Sequence, residues 1–227
     1  MFMIWCIIIM LLRRRVKRFL KTLHLQQIVA VLLALLSTVF VISACGQQTN
    51  LTYNIKHGGS VIGKLCVTQK HNDSVVNVAL CSKVKAGFII TFSVNDVEES
   101  MFNNGVLYHS KIYREVNGVE KVSKEHLATN SGYIIARKNK KNVVMQGPIK
   151  YNLMLMYTVE PLQTNLVYSD NYEQYLTLQK IGEHCYKLLL PDDNFQNYYY
   201  KNGVCFKIEM HSTFFTATMQ LVSNTTL

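Results

Sequence analysis

Residues 204–222 read VCFKIEMHSTFFTATMQLV, and apolar side chains recur in them at every second position. The alternation runs first through Val204, Phe206, Ile208 and Met210, and then through Phe215, Ala217, Met219 and Leu221. A period of two places successive side chains on opposite faces of a strand. These residues therefore predict two antiparallel strands, each with one face on a core and one face in water.

The same period appears upstream, and turn signals separate its segments. Phe88, Ile90, Phe92 and Val94 alternate with a largely polar set, Ile89, Thr91, Ser93 and Asn95. Asn-Gly pairs at 104–105, 117–118 and 202–203 are the commonest signal for a two-residue hairpin, and further turns are predicted at 57–59, 71–73 and 192–194. Strands are predicted near 51–56, 60–69, 74–84, 88–97, 106–115, 119–123, 132–137, 143–146, 175–180, 184–190, 197–201, 204–211 and 213–222. Residues 149–173 break the pattern and predict one short helix or lid around 151–157.

Ten or more short strands in meander order favour one all-β domain over residues 46–227. We expect a single antiparallel β-barrel or a strongly curved sheet, preceded by a helical signal segment. A sheet of this kind encloses an apolar interior wherever inward side chains do not fill the space.

The leader, residues 1–45, is typical of an exported protein. A basic cluster precedes an apolar run at 28–42, and small residues follow at 43–46. This is the order of a secretory signal, and the run is shorter than the roughly 20 residues that a spanning helix needs. Because an apolar stretch also precedes the basic cluster, we expect the true start at Met10.

Two cleavage sites fit the end of the leader. Residues 42–45 resemble a bacterial lipobox, which predicts lipidation at Cys45 and a persistent membrane anchor. The alternative is ordinary cleavage after Gly46. The first predicts a periplasmic or outer-membrane-anchored protein of the cell envelope, and the second a protein that is periplasmic or secreted.

Charge argues against a nucleic-acid partner. The chain has a formal net charge of +10, but six of its 24 basic residues lie in the leader, which has no acid. The remainder carries 18 basic and 14 acidic residues, interleaved along the chain. The basic run at 137–141 is therefore interpreted as a solvated turn between two strands, not as a phosphate-binding track.

No catalytic or metal-binding pattern stands out, so we expect no enzyme activity, cofactor or metal. The histidines lack the spacing of metal ligands. Glu160, before a proline, either places a carboxylate at a pocket mouth or caps a short element, and capping is favoured. The four mature cysteines, Cys66, Cys81, Cys185 and Cys205, would permit two disulfide bridges in an oxidising periplasm, with three possible connectivities. Buried free thiols are favoured, and Cys66 and Cys81 are expected on successive strands but not opposite each other.

Tyrosine is enriched in the second half of the chain, and this has two interpretations. The rings line the mouth of a ligand cavity, each with an apolar body and a polar tip, or they are ordinary packing on half-buried strands. Ordinary packing is favoured. The cavity interpretation predicts ligand contacts from Tyr157, Tyr175, Tyr186 and Tyr199.

Several short pieces resemble a known family: YNI (53–55), VIGKL (61–65), FNNGVL (102–107), LMYTVEP (155–161) and YYYKNG (198–203). Together they resemble a family of exported proteins of Bacteroidota known only as a domain of unknown function, over roughly residues 50–222. The resemblance implies a Gram-negative envelope and a curved sheet or barrel. It implies no activity and no functional residues.

These observations predict an uncharacterised exported envelope protein. The favoured function is non-enzymatic binding of an apolar or lipid-like ligand within the curved sheet. The alternative is a structural or protein-interaction module of the envelope. The expected partners are such a ligand and, through the N-terminal anchor, the membrane.

Overall fold

The computed structural model describes residues 46–86, 92–138, 140–213 and 215–227, which form one antiparallel sheet of fourteen strands. The strands are β1 Gln48–His57, β2 Ser60–Asn72, β3 Val75–Ala86, β4 Phe92–Asn103, β5 Val106–Val116, β6 Val119–Ala128, β7 Gly132–Arg137, β8 Val143–Gln146, β9 Leu166–Ser169, β10 Gln174–Gly182, β11 Cys185–Leu189, β12 Phe195–Lys201, β13 Val204–His211 and β14 Thr216–Thr226. The predicted signal helix, the Met10 start, the lipidation at Cys45, Phe88 and Ile90 lie outside the described residues.

The strands follow one another as a meander, in the order β8 to β1 and then β14 to β9. Pairing of β1 with β14 joins the first half of the sheet to the second. The predicted all-β antiparallel meander is confirmed. The prediction of a closed barrel or a strongly curved sheet is wrong, because the sheet neither closes nor curls strongly.

The segment that precedes β9 explains why β9 does not pair with β8 to close the sheet. Within the described residues, β8 and β9 are the two edges, and each has only four residues. The free side of β9 is already hydrogen-bonded to the chain that precedes it: Leu153 N donates to Tyr168 O, and Tyr168 N donates to Tyr151 O. The backbone groups that would pair with β8 are therefore occupied.

The Asn-Gly turns form as predicted. Asn104 and Gly105 have φ values of 49° and 74°, and the other two Asn-Gly pairs have similar values. Positive φ at both central positions gives a turn whose twist matches that of the flanking strands. These turns set the register of the β4–β5, β5–β6 and β12–β13 hairpins.

The alternation predicted for β13 is wrong in its first half. Cys205 is buried and Phe206 packs near Tyr199, whereas Ile208 is buried again. The reason is a β-bulge. Tyr199 of β12 pairs with Lys207 and Tyr200 with Cys205, so Phe206 has no ladder partner on β12. One extra residue reverses the faces on its two sides.

The connection between β8 and β9 supplies much of the core. The short helix predicted around 151–157 is present as the 3₁₀ helix Leu155–Tyr157, and the connection packs on the buried face of the sheet. Ile149 and Met154 belong to a cluster with residues of β1–β5, and Met156 to a second cluster with β10–β13. Burial of one such side chain stabilises the fold by about 1.5–3 kcal/mol. The connection therefore fills interior space that a ligand-carrying barrel would keep open for its ligand.

Candidate ligand cleft

Strand β4 turns charged side chains toward the interior. Ser100 and Phe102 on its inner face are each 1% exposed, whereas Val97 on the other face is 50% exposed. Because side chains alternate along a strand, Asp96 and Glu98 lie on the same face as Ser100 and Phe102. Two carboxyl groups thus point toward the core side of the sheet.

Arg114 of β5 is the direct ladder partner of Asp96. Its Nη2 lies 2.7 Å and its Nε 3.0 Å from Asp96 Oδ2, and the same Nη2 lies 3.4 Å from Glu98 Oε1. The two bonds to Asp96 join charged groups and belong to the strongest class of protein hydrogen bond, whereas the contact with Glu98 is longer and weaker. One guanidinium is therefore shared between two carboxyl groups.

These three side chains form one wall of a cleft with a volume of about 250 Å³. Its polar lining also includes Ser82, Ser169, Asp170, Asn171, Tyr172 and Gln196. Its apolar lining consists of Leu65, Leu80, Leu153, Tyr157, Leu190, Tyr198, Met210 and Met219. The cleft therefore has an apolar side and a charged side, as an amphipathic ligand requires.

One acceptor in the cleft has no hydrogen bond. Asp96 Oδ1 is fully buried and has no partner among the described residues, although Oδ2 of the same carboxylate binds Arg114 twice. A buried polar atom without a hydrogen-bond partner lowers the free energy of unfolding by about 1–3 kcal/mol. A donor on a bound molecule would remove this cost.

Glu98 is held in its neutral form over much of the pH range. Burial, together with the negative charge of Asp96, raises its pKa from 4.5 to about 8, and Arg114 opposes the shift only in part. A protonated Glu98 keeps a carbonyl oxygen for Arg114. At neutral pH the Asp96–Arg114 pair is thus the charged centre of this wall.

Asp170 closes the cleft at the end of β9 through a buried polar network. Ser110 Oγ donates to Asp170 Oδ1, and Asn152 Nδ2 lies 2.8 Å from Asp170 Oδ2 and 2.9 Å from Ser100 Oγ. Burial raises the pKa of Asp170. The network joins β4 and β5 to the β8–β9 connection, and so positions the cleft wall.

His126 lies beside this network and is fully buried. Its Nε2 is 3.2 Å from the Tyr168 hydroxyl, and its Nδ1 is 3.8 Å from Asp170 Oδ1, too far for a hydrogen bond. Burial lowers the pKa of His126 despite the attraction of Asp170. The ring is therefore neutral at physiological pH and acts as a packed polar residue.

The structure does not bring the four predicted tyrosines together. Tyr157 lines the cleft and packs edge-to-face on Tyr53, with ring centroids 5.8 Å apart. Tyr175 donates to Pro148 O, Tyr186 to Glu160, and Tyr199 to Glu209, all away from the cleft. Of the four, only Tyr157 is in a position to meet a ligand there.

Glu160 neither caps an element nor lines this cleft, contrary to the two sequence interpretations. Its side chain is 5% exposed, accepts a 2.8 Å hydrogen bond from the Tyr186 hydroxyl, and lies 2.9 Å from His184 Nδ1. His184 occupies a left-handed turn position between β10 and β11. The carboxylate therefore fastens this turn to the β8–β9 connection.

The prediction that the four mature cysteines are buried is confirmed for Cys205, holds only in part for Cys185, and is wrong for Cys66 and Cys81. Cys66 and Cys81 are exposed, Cys185 is half-buried and Cys205 is buried. The prediction that Cys66 and Cys81 are not opposite is also wrong, because the β2–β3 ladder pairs them directly. Within the described ranges no three metal-ligating side chains converge, and no helix is long and apolar enough to cross a bilayer.

The basic run at 137–141 falls, as predicted, at the turn between β7 and β8. It borders an open surface groove with a volume of about 540 Å³. Arg137 and Lys124 both bind Glu173, and Lys138 binds Glu120. Three of the five basic residues that line the groove are thus paired with acids, and its lining is almost entirely polar, so for a lipid-like ligand it is a weaker candidate site than the cleft.

Sequence reasoning missed the charged wall, although a signal for it was present. The alternation that placed Phe92 and Val94 on one face of a strand continues through Asp96 and Glu98 to Ser100 and Phe102. Charged residues in phase with apolar ones mark inward-facing polar groups. Asp170, Asn152 and His126 had no such signal, because their positions depend on how the β8–β9 connection packs.

Comparison with known proteins gives one matching family model and a likeness of fold to a solved structure. The sequence model of a domain of unknown function (DUF6134) matches residues 53–222. No curated protein matches the chain. Among solved structures, the β-barrel-like protein of domain of unknown function DUF1849 from Brucella abortus is similar, with a TM-score of 0.50, 8% identity, and coverage of 80% of this chain and 98% of that one. This likeness concerns the fold alone.

Proposed function

The chain belongs to the DUF6134 family, for which no function is known, and we propose from its cleft that it is a non-enzymatic binding protein for a small lipid-like ligand. The observation that carries the proposal is the buried, unpartnered Asp96 Oδ1 on one side of a cleft whose other side is apolar. A ligand with a hydrogen-bond-donating, positively charged head group and a short apolar tail fits both sides.

The cleft's charges favour a cationic head group over an anionic one. Three carboxyl groups and one guanidinium line the polar wall, and Arg114 is already engaged by Asp96 and Glu98. An anion would compete with the Asp96 carboxylate and with the carbonyl oxygen of the neutral Glu98 for Arg114, whereas an ammonium group would donate to Asp96 Oδ1. Electrostatic complementarity of this kind sets specificity.

The volume limits the size of the ligand. Pockets for drug-sized molecules hold roughly 300–1,000 Å³, and this cleft holds about 250 Å³. The β8–β9 connection fills the neighbouring interior with Ile149, Met154 and Met156. A single short acyl or alkyl chain therefore fits better than a multi-chain lipid.

Two probes of equal chain length separate the head-group preference from general hydrophobicity. Octylamine and octanoate are titrated into the purified full chain, below the concentration at which either aggregates, and binding is followed by calorimetry. We expect octylamine to bind at least tenfold more tightly. Equal binding of both, or binding of neither, would reject the proposed cleft chemistry.

A matched pair of variants locates the site. Asp96→Asn keeps the size of the side chain but removes the charge that attracts the ammonium, so octylamine affinity should fall about tenfold or more. Tyr199→Phe removes a hydroxyl outside the cleft and should leave affinity unchanged. Equal loss in both variants would indicate binding elsewhere.

Export is part of the same proposal. The leader pattern supports delivery to the cell envelope, with Cys45 as a lipid anchor or with soluble release after Gly46. Fractionation of cells that make the full chain, with mass spectrometry of its N-terminus, distinguishes an acylated Cys45 from a free Gln47. Recovery in the cytoplasm with residues 10–45 attached would contradict export.

A second function, as a protein-interaction module, is favoured by one surface. Leu127, Ile134 and Val144 are ladder neighbours on β6, β7 and β8, and all three are exposed. This apolar row ends at an edge strand with unpaired backbone groups, which is a template for strand addition. The partner would be another envelope protein.

Crosslinking of the full chain in envelope membranes tests this alternative. A reproducible adduct in the wild type that disappears in Val144→Lys would support it, since Val144 is the most exposed residue of the row. The variant Val222→Lys, at another exposed apolar position on β14, is the matched control. An adduct that survives Val144→Lys would argue against this surface.

A further inference from the structure

Cys66 and Cys81 occupy paired positions in the β2–β3 hairpin. The register begins at Asn72 opposite Val75 and continues without a shift to Cys66 opposite Cys81. Paired residues of an antiparallel ladder place their side chains on the same face. On β2 the inward residues Leu65 and Val67 are buried, so both cysteines point outward, and both are exposed.

The pairing satisfies the backbone requirement for a disulfide bond. Directly opposite residues in antiparallel strands have Cα atoms about 4.5 or 5.5 Å apart, depending on the type of pair. Both distances fall in the range of roughly 4.4–6.8 Å that disulfides span. Their Cβ atoms, about 5 Å apart, need to approach by only about 1 Å.

The other two described cysteines lack this arrangement. Cys185 pairs with Tyr199, and Cys205 pairs with Tyr200, so neither faces a thiol across the ladder. Cys205 is also fully buried, and its thiol lies 3.4 Å from Lys207 O. Oxidation by an external reagent is therefore expected to be selective for the hairpin pair.

We propose that Cys66 and Cys81 form a cross-strand disulfide by exchange with an external disulfide oxidant, and this does not depend on the ligand proposed for the cleft. One thiolate attacks the oxidant's S–S bond to give a mixed disulfide and releases one thiol. The second cysteine then attacks the protein sulfur of the mixed disulfide and releases the second thiol. The protein loses two electrons and two protons, and the oxidant gains them.

The surroundings favour an anionic oxidant. Lys64 and Lys83 are the next residues on the same face, are ladder partners of each other, and are exposed. Two positive charges directly opposite each other repel, and an anionic reagent relieves that repulsion. Oxidised glutathione, which carries several carboxylates, is therefore the appropriate probe.

The test uses the reduced, folded full chain with oxidised glutathione, followed by alkylation of remaining thiols, trypsin digestion and mass spectrometry. Cleavage after Lys64, Lys70 and Lys83 releases residues 65–70 and 71–83 as separate peptides, one for each cysteine. We expect these two peptides to be recovered linked, lighter by two hydrogens, and without bound glutathione.

Single variants show whether the second thiol resolves the mixed disulfide. In Cys66→Ser, Cys81 should retain one glutathione, and in Cys81→Ser, Cys66 should do so. The proposal is overturned if the wild type retains glutathione on both residues, if either peptide links to another cysteine, or if both stay reduced while the variants react.

Discussion

Replacement of Glu98 by Gln should make the protein more stable at alkaline pH. The pKa of Glu98 rises from 4.5 to about 8 because the side chain is buried beside Asp96. Between these values the folded state keeps a proton that the unfolded chain has already lost. The free energy of unfolding therefore falls as pH rises from about 4.5 to 8.

The size of this loss in the free energy of unfolding follows from the shift in the pKa of Glu98. Each pKa unit corresponds to 1.36 kcal/mol, so a shift of about 3.5 units contributes up to about 5 kcal/mol. Only 18% of the Glu98 side chain is exposed, so solvent screening reduces this contribution only slightly. A Gln has no proton to lose, and its carbonyl oxygen still faces Arg114, which lies 3.4 Å away.

Urea unfolding at a series of pH values provides the measurement. Near pH 4 the variant and the wild type should agree within about 1 kcal/mol, because a protonated Glu and a Gln have similar size and both offer a carbonyl oxygen to Arg114. Near pH 8.5 the variant's midpoint should be higher by about 2 M urea, for a slope near 2 kcal/mol per M. Glu183→Gln, at a position 90% exposed, should show no such difference. Equal midpoints at both pH values, or a less stable Glu98→Gln at pH 8.5, would refute the reasoning.

Three further changes, each followed by urea unfolding at neutral pH, test two contacts that hold the β8–β9 connection to the sheet and one contact at the β7–β8 edge. Tyr133→Phe should lower the free energy of unfolding by about 2–3 kcal/mol, because the hydroxyl donates to Leu107 O at 2.7 Å and accepts from Ile149 N at 3.0 Å. The control Tyr53→Phe loses only the hydrogen bond to Cys205 O and should lower it by about 1 kcal/mol. Equal losses in the two variants would contradict this prediction. Asn152→Ala should lower the free energy of unfolding by about 3 kcal/mol, since Asp170 Oδ2 and Ser100 Oγ both lose the Asn152 donor, and a loss below 1 kcal/mol would mean that the network is solvated. Gly132→Ala should destabilise the β7–β8 edge because its Cβ would overlap Met145 O, and an unchanged midpoint would show that this edge shifts freely.

Most of the strand pattern was predictable because local rules set it. Period-two alternation and Asn-Gly turns are encoded in neighbouring residues, so β7, β8 and β13 begin and end where the sequence predicts. The four-residue β9 was missed, since its pairing depends on β10 and on residues 151–153. The bulge at Phe206 was also missed, because a bulge depends on the partner strand as well as on its own sequence.

The site was less predictable, for a physical reason. Tyrosine enrichment indicated residues with a polar tip, but three of the four candidates use that tip to bind backbone or acidic groups of the protein itself. The cysteine register required only the assumption of a two-residue turn at 73–74, which places residue 66 opposite 81. Error in the assumed turn, not lack of information, produced that wrong prediction.

The charged wall of the cleft argues for a ligand more strongly than the tyrosines do. Well-packed apolar residues in place of a buried ion pair are often neutral or stabilising, so folding alone does not require Asp96, Glu98 and Arg114 on the inner face. Here the fold also carries an unpartnered carboxylate oxygen and a glutamate whose pKa is raised to about 8. Both unfavourable features lie in the same cleft, and a bound ammonium group would relieve both, since it donates to Asp96 and favours an ionised Glu98. The stability lost at alkaline pH and the proposed affinity for a cationic amphiphile would thus have one origin.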